Sequence, residues 1–467
     1  MDLTDPGERE TLRSHLGEIF TDRPVICGFG PLAGYTSVVS LLHSVGARKP
    51  LLVVTGRGAG PVPDEDQIEV VSVDAPGSHS MTEELRQHDH LARHLPGYVK
   101  EAVDRYDPTG DGVWFVSPFV VNDPVLGRRV FGGRPADWLA LEDKLIAEQI
   151  WAAIGFPHTR SRIVEVRLAE LRDTQRDLDD GAGAVWTGDA RGGFNGGGDF
   201  VRWVVTPEDA QAAFVFFEAR CDRVRVMPFL EGVPCSIHGI VLPDGTATFR
   251  PVELAILRHT DSRRFVYGGQ GTFWDPPDAD RARMRDLVRA TGAHLRERAG
   301  YAGAFGIDGI MTGHGFRPTE INTRMPGGLT AMATGVDISL FLLLQANLVA
   351  GRAPGVSTRE LEGWAVRAFD ERRVSKPLAI SEHRLVEGSQ EIALRWDGER
   401  LRRSDEDTGM SLVIGPSVSG TYAKIEPGTL LRVGMRIAPL NVALMRLLDD
   451  DFGATFGPVT AASDVRR

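Results

Sequence analysis

The sequence predicts an α/β protein that opens with a doubly wound parallel sheet, runs on through consecutive strands, and ends in a mixed α/β extension. Residues 24–135 alternate short apolar strands with amphipathic helices, the pattern of a parallel sheet covered on both faces. Residues 223–273 read instead as strand after strand, with Pro243-Asp244-Gly245 as a turn. A third observation, an acidic hairpin around Gly313-His314-Gly315, carries the functional argument.

In chain order, residues 25–27 form a strand, Gly28 to Gly34 a turn, and residues 35–45 a helix with apolar spacing. Residues 51–54, 68–73 and 113–116 are further strands, with helices expected around 81–95 and 97–106. Residues 137–154 space Trp138, Leu141, Leu145, Ile146, Ile150 and Ile154 as one helix; Asp137 is its expected N-cap, Gly155 ends it, and Pro157 lies just beyond. A strand over 163–166, a helix over 168–178 and a strand over 184–186 lead to a glycine-rich loop from Gly188 to Gly198. A strand over 201–205 and helices over 207–221, 279–300 and 337–350 complete the reading. The tail from Trp364 to Arg467 is mixed, with short strands near 391–396 and 411–414. The expected domains are 1–136, 137–225, 226–363 and 364–467.

The chain has 467 residues and a formal charge of −11, which argues against a general nucleic-acid binder. Cys27, Cys221 and Cys235 have neither metal-ligand spacing nor an even count, so reduced thiols in a cytoplasmic protein are expected. The N-terminus has no signal-peptide apolar region. The longest apolar run, Ile338 to Ala350, is shorter than the roughly 20 residues a bilayer requires, so no membrane association is expected.

Around a turn centred on His314, Asp308 and Glu320 are equidistant and face each other across the hairpin. Asn322 lies two residues past Glu320, on the same strand face, and Arg324 follows. Two facing carboxylates repel unless a cation sits between them. Hard oxygen ligands of this kind suit Mg²⁺ held together with substrate phosphates.

An Asp followed about a dozen residues later by Glu-x-Asn on a hairpin resembles the ATP-grasp ligases. Leu141-Glu142-Asp143-Lys144 followed by Gly155-Phe156-Pro157 resembles that family's lysine helix and turn. Val226 to Gly232 resembles its adenine-binding hinge strand. The resemblance covers about 140–350 and implies antiparallel sheets there, with 24–135 as the preceding domain. It further implies ATP and Mg²⁺ as cofactors, with Asp308, Glu320 and Asn322 as metal ligands. Lys144 would hold the α- or β-phosphate. Arg191, Gly192, Gly193, Asn195 and Gly196 of a loop with bare amides would close over the phosphates. Met227, Pro228, Phe229 and Leu230 would meet adenine, and Glu231 or Ser236 the ribose. Arg324 would hold the transferring phosphoryl group, with Arg258 a second catalytic cation. Arg258, Arg263 and Arg264, around Phe265 and Tyr267, would suit a donor carboxylate.

The order Glu253, Arg258, Phe265 to Gly269 and Thr272 to Pro276 is most similar to peptide ligases of the pheganomycin type. That similarity implies an amino-acid-like carboxylate donor, an amino-acid or peptide amine acceptor, an acyl-phosphate route and a secondary-metabolite setting. A homodimer is among the expected assemblies. Two departures stand out. The strand Ala184-Val185-Trp186-Thr187 lacks the family's second phosphate lysine, for which Arg191 is the nearest replacement, and Pro234 falls where a ribose-binding acid often lies. Two other classes compete. Gly28-x-Gly30-x-x-x-Gly34 is one residue longer than a dinucleotide fingerprint and would suit an NADP-dependent oxidoreductase. A catalytically silent nucleotide-binding module would fit the missing lysine.

Overall fold

The computed structural model describes residues 1–74, 80–189, 191–193 and 195–466. Ala190 and Phe194 of the expected glycine loop lie outside this set. The N-terminal part is a parallel sheet of five strands among the described residues. Its spatial order is Glu69–Ser72, Leu51–Val54, Val25–Gly28, Val113–Val116 and Arg129–Phe131. The three central strands are buried on both faces, which explains why they lack the alternation of apolar and polar residues.

A second, antiparallel sheet orders Arg162–Glu165, Arg223–Pro228, Ala184–Gly188 and Val201–Val204. Helices Leu168–Leu178 and Pro207–Glu218 pack on it around Leu171, Trp186 and Phe217. Helix Pro207–Glu218 is started by a reciprocal cap between Thr206 and Asp209. The largest sheet runs Gly315–Asn322, Gly303–Thr312, Val233–Leu242, Val252–His259 and Phe265–Gly271, then continues into the tail through Ser375–Ser381, Gly420–Glu426, Ser411–Ser417, Gln390–Trp396 and Leu401–Arg403. Helix Asp278–Ala299 buries Met284, Leu287, Val288 and Leu295 against the back of the hairpin, beside Phe305 and Ile307. It stops at Gly300, whose φ of 58° is left-handed.

The helix expected over 137–154 is not continuous, and Asp137 is not its cap. Helical turns cover Ala136–Leu139, Ala140–Glu142 and Ala147–Ala153, with Pro135 preceding the first. The Asp143 side chain accepts from the Leu145 amide at 2.9 Å, a local bond that competes with the helix ladder. Periodicity foresaw the burial of Trp138, Leu145 and Ile150, whereas Leu141, Ile146 and Ile154 are only half-buried, and it did not foresee this break, which turns Lys144 toward the hairpin. The tail also holds more strand than expected, because Ser375–Ser381 pairs directly with Phe265–Gly271.

Candidate active site

The hairpin reaches the expected pairing by a different path. Its turn is only Gly313-His314, between paired Thr312 and Gly315. A two-residue turn alone would set Asp308 against Thr319. A bulge at Thr319 adds one residue to the second strand and returns Asp308 to Glu320. The bulged Thr319 carbonyl is thereby released from the ladder, and it accepts from Arg225 Nη2 at 3.0 Å.

Asp308, Glu320, Asn322, Arg324 and Lys144 line one cleft of about 380 Å³. Asn322 Nδ2 donates to Asp308 Oδ2 at 2.9 Å, and Arg324 Nη2 donates to Asn322 Oδ1 at 2.8 Å. Lys144 Nζ lies 2.9 Å from Glu320 Oε2. Burial, and then the facing Glu320 charge, raise the Asp308 carboxyl to about 6. Ser236, register partner of Asp308, hydrogen-bonds it and also meets His238 Nε2 at 3.0 Å. Ser236 therefore buttresses the acidic pair, whereas a ribose contact was expected. Burial keeps His238 neutral, with its pKa down to about 3.

The acidic pair fits a divalent cation. Two carboxylates and an amide oxygen form a hard-oxygen set too small to complete a coordination shell, and among the described residues no three His, Cys, Asp or Glu converge as a self-sufficient metal site. Such a set suits an ion that brings phosphate oxygens with it.

Arg225 went unnoticed in the sequence. It is the cross-strand partner of Thr187, on the strand where no lysine is found, and it lines the cleft. Its Nη1 donates to the Lys144 carbonyl at 2.8 Å. One buried guanidinium thus joins the lysine turn, the bulge and the four-stranded antiparallel sheet. The sequence pattern does not single it out: Arg223 and Arg225 alternate with Val224 and Val226 as on a strand with one solvent face, yet Arg223 is exposed and Arg225 is buried. Glu142 was likewise read only as part of a motif. It is buried between Arg134 and Arg324, with Arg324 Nε 3.2 Å away.

Several expectations need correction. Lys144 sits on a turn rather than a helix. Arg191 pairs with Asp222 at 2.9 Å and faces away from the cleft, so it does not replace the lysine. Gly192 lines the same neighbouring cavity. The Gly193 carbonyl accepts from Arg86 Nη2 at 3.1 Å, and the buried Asn195 side chain donates to the Asp189 carbonyl at 3.0 Å. Gly196 does line the cleft, yet its amide is not bare, because it donates to Thr82 Oγ1 at 3.0 Å. Glu231 is gripped by both terminal nitrogens of Arg258, at 2.7 and 3.0 Å, which removes both from the free roles expected of them. Arg263 meets Asp209 at 3.0 Å.

On the hinge, Met227, Phe229 and Leu230 line the cleft. Pro228 pairs with Ala184 in the four-stranded antiparallel sheet, and the Phe229 amide donates to the Gly183 carbonyl at 3.0 Å. Phe229 stacks on Trp203 with ring centroids 4.4 Å apart. The N-terminal glycine turn is closed by its own chain, since the Gly30 amide donates to the Tyr35 hydroxyl at 3.0 Å. That amide is consequently occupied where a dinucleotide phosphate would need it. No helix among the described residues is long and apolar enough to cross a membrane.

No family model and no curated protein matches this chain. Solved structures do. The biotin carboxylase domain of 2-oxoglutarate carboxylase from Hydrogenobacter thermophilus, in complex with ADP and magnesium, is 13% identical with a TM-score of 0.56 over 94% of this chain and 91% of that one. Phosphoribosylamine–glycine ligase from Thermotoga maritima is 14% identical with a TM-score of 0.53, over 91% and 95%. Carboxyaminoimidazole ribonucleotide synthase from Aspergillus clavatus, complexed with ATP, is 12% identical with a TM-score of 0.50, over 92% and 99%. At these identities the likeness is one of fold: the chain has the ATP-grasp fold, with a parallel-sheet domain ahead of it.

Proposed function

We propose that the protein is an ATP-dependent ligase that joins a carboxylate donor to an amine through an acyl phosphate, releasing ADP and phosphate. The observation that carries this reading is the facing pair Asp308 and Glu320, with Asn322, Lys144 and Arg324 in the same cleft. A carboxylate resists attack by an amine because its leaving group would be oxide. Transfer of the γ-phosphoryl group to a donor oxygen supplies a phosphate leaving group instead. The amine then attacks the carbonyl carbon, phosphate departs, and the amine proton passes to solvent.

Mg²⁺ bound by Asp308, Glu320 and Asn322 would neutralise phosphate charge during the transfer. Lys144 and Arg225 add fixed positive charge beside Glu320, and Arg225 takes over the part of the absent lysine. Arg324 holds Asn322 in position and presents its planar fork to the oxyanion. Adenine lies against Met227, Phe229 and Leu230. Of Pro228, Phe229 and Leu230, Pro228 lacks an N–H and that of Phe229 is already used, so among the described residues the Leu230 amide is the donor left for the base. The finer reading, an amino-acid donor and a peptide or amino-acid acceptor in natural-product biosynthesis, rests on the similarity to pheganomycin-type ligases.

The test is isotopic. Donor acids labelled with ¹⁸O in the carboxylate are screened against amine partners, and released phosphate is analysed by mass spectrometry. One labelled oxygen should appear in phosphate for each amide formed, with ADP in equal amount. AMP with unlabelled phosphate would refute the route.

A further inference from the structure

A second cavity of about 760 Å³ adjoins the cleft and shares Gly197, Phe265 and Tyr267 with it. Five arginines line it: Arg86, Arg191, Arg202, Arg220 and Arg264. The lining acids are Glu83, Asp199 and Glu382, and the histidines are His259 and His383. Arg191 is neutralised by Asp222. Arg202, Arg220 and Arg264 are different. Among the described residues Arg202 donates only to the carbonyls of Asp199 and Val201, at 2.7 and 2.8 Å, and Arg220 only to the carbonyl of Phe216, at 3.2 Å. The guanidiniums of Arg202 and Arg220 lie over the same Phe216 ring, 3.8 and 4.5 Å from its centroid. Among the described residues none of these three arginines forms an ion pair, and the Arg264 side chain makes no hydrogen bond. Arg202 is half-buried. Burial, and then the nearby Arg264 charge, lower its pKa to about 10.

Like charges gathered in one cavity, with Arg264 and Arg220 both acting on Arg202, cost stability in the empty protein, and a bound anion would offset that cost. The geometry points to a carboxylate-binding subsite formed by Arg202, Arg220 and Arg264, which takes the non-reacting carboxylate of the amine-bearing substrate. The assignment to that substrate rests on the proposed ligase chemistry. The donor's carboxylate is the reacting group, so it has to lie beside Arg324 and the acidic pair. A cationic cavity one aromatic layer away, behind Phe265 and Tyr267, suits the far end of the other partner. An amino acid or peptide that offers its amine to the cleft carries such a carboxylate.

Triglycine and triglycinamide serve as probes, because they share the amine and differ only in the terminal charge. Each is titrated into the full chain with ADP and Mg²⁺ present, and binding is followed by saturation-transfer NMR. Triglycine should bind at least about tenfold more tightly than the amide, and Arg220→Gln and Arg264→Gln should each remove about that factor, the scale of one charge-assisted hydrogen bond. Both side chains are exposed, and unchanged melting of the two variants would confirm intact folding. Equal binding of acid and amide, or full affinity in both variants, would overturn the subsite. So would inorganic phosphate that binds through these arginines more tightly than triglycine. ADP binding is read in the same samples. Bound ADP without preference for the acid sinks the subsite and leaves the ligase reading standing. Preference for the acid without bound ADP supports the subsite and sinks the ligase reading.

Discussion

Asp308 shows what the cleft gives up for its chemistry. A buried carboxyl that faces another acid is harder to ionise in the folded chain than in the unfolded one. With its folded pKa raised to about 6, the native state binds more protons than the unfolded state between pH 4 and 6. Stability therefore falls as pH rises through that window, and the cost is fully present above it. Asp308→Asn removes the charge and keeps the shape. In EDTA and without nucleotide, the variant should be more stable than the parent at pH 8 by about 1–3 kcal/mol, with the gain shrinking toward pH 4. Its turnover should fall at least about a hundredfold, because one carboxylate of the proposed cation cradle would be gone. Thermal melts at the two pH values check the first half. A variant that melts lower at pH 8 would mean that Asn322 and Ser236 stabilise the carboxylate more than Glu320 and burial oppose it.

The hairpin, the lysine turn and strand Arg223–Pro228 are tied together, and Arg225 is the joint. Charge-assisted bonds from a buried guanidinium to two carbonyls contribute about 1.5–3 kcal/mol each, and here they fix the backbone of Lys144 and the bulge at Thr319. Arg225→Met keeps length and apolar bulk but loses both bonds and the charge. Its affinity for ADP with Mg²⁺, measured by calorimetry, should drop at least about tenfold. Affinity within a factor of two of the parent would make Arg225 a core strut with no part in nucleotide binding. This joint also marks where sequence reading stops. The facing acids were legible because hairpin counting is local, and the two errors in that count, a shorter turn and an unforeseen bulge, cancelled. The lysine turn was not legible, since Asp143 breaks a pattern whose apolar spacing is otherwise that of one helix. Arg225 lay hidden because its partners are 81 and 94 residues away. The glycine loop read as bare for the same reason: Thr82, which holds Gly196, belongs to the N-terminal domain.

At the scale of the whole molecule, the tail is built into the core sheet. Glu253, part of the pattern that suggested the finer family resemblance, is fully buried on strand Val252–His259. It accepts from Arg436 Nε at 2.9 Å and from the amides of Ile437 and Ala438 at 2.7 and 3.4 Å, where helix Ala438–Phe452 begins. A carboxylate at a helix N-terminus neutralises orphan amides, and here one side chain fastens the last long helix to the sheet that carries the cleft. The chain then returns to the cleft rim: Val459 and Thr460 pair with His259 and Arg258, and the Ser463 amide donates to Glu231 at 3.1 Å. Glu253→Ala leaves two buried amides without their acceptor and the half-buried Arg436 with only the Ala462 carbonyl among the described residues, a loss of about 3–5 kcal/mol. Because Ser375–Ser381 is a strand of the same sheet, the tail and the core should unfold together. In denaturant titrations, Trp396 in the tail and Trp274 beside the core helix, each read in a single-tryptophan variant, should report one shared midpoint. Glu253→Ala should lower that midpoint for both probes equally. If Trp396 unfolds first while Trp274 holds its original midpoint, the tail is a separable unit, and its hold on Glu231 and Arg258 cannot be part of what shapes the cleft.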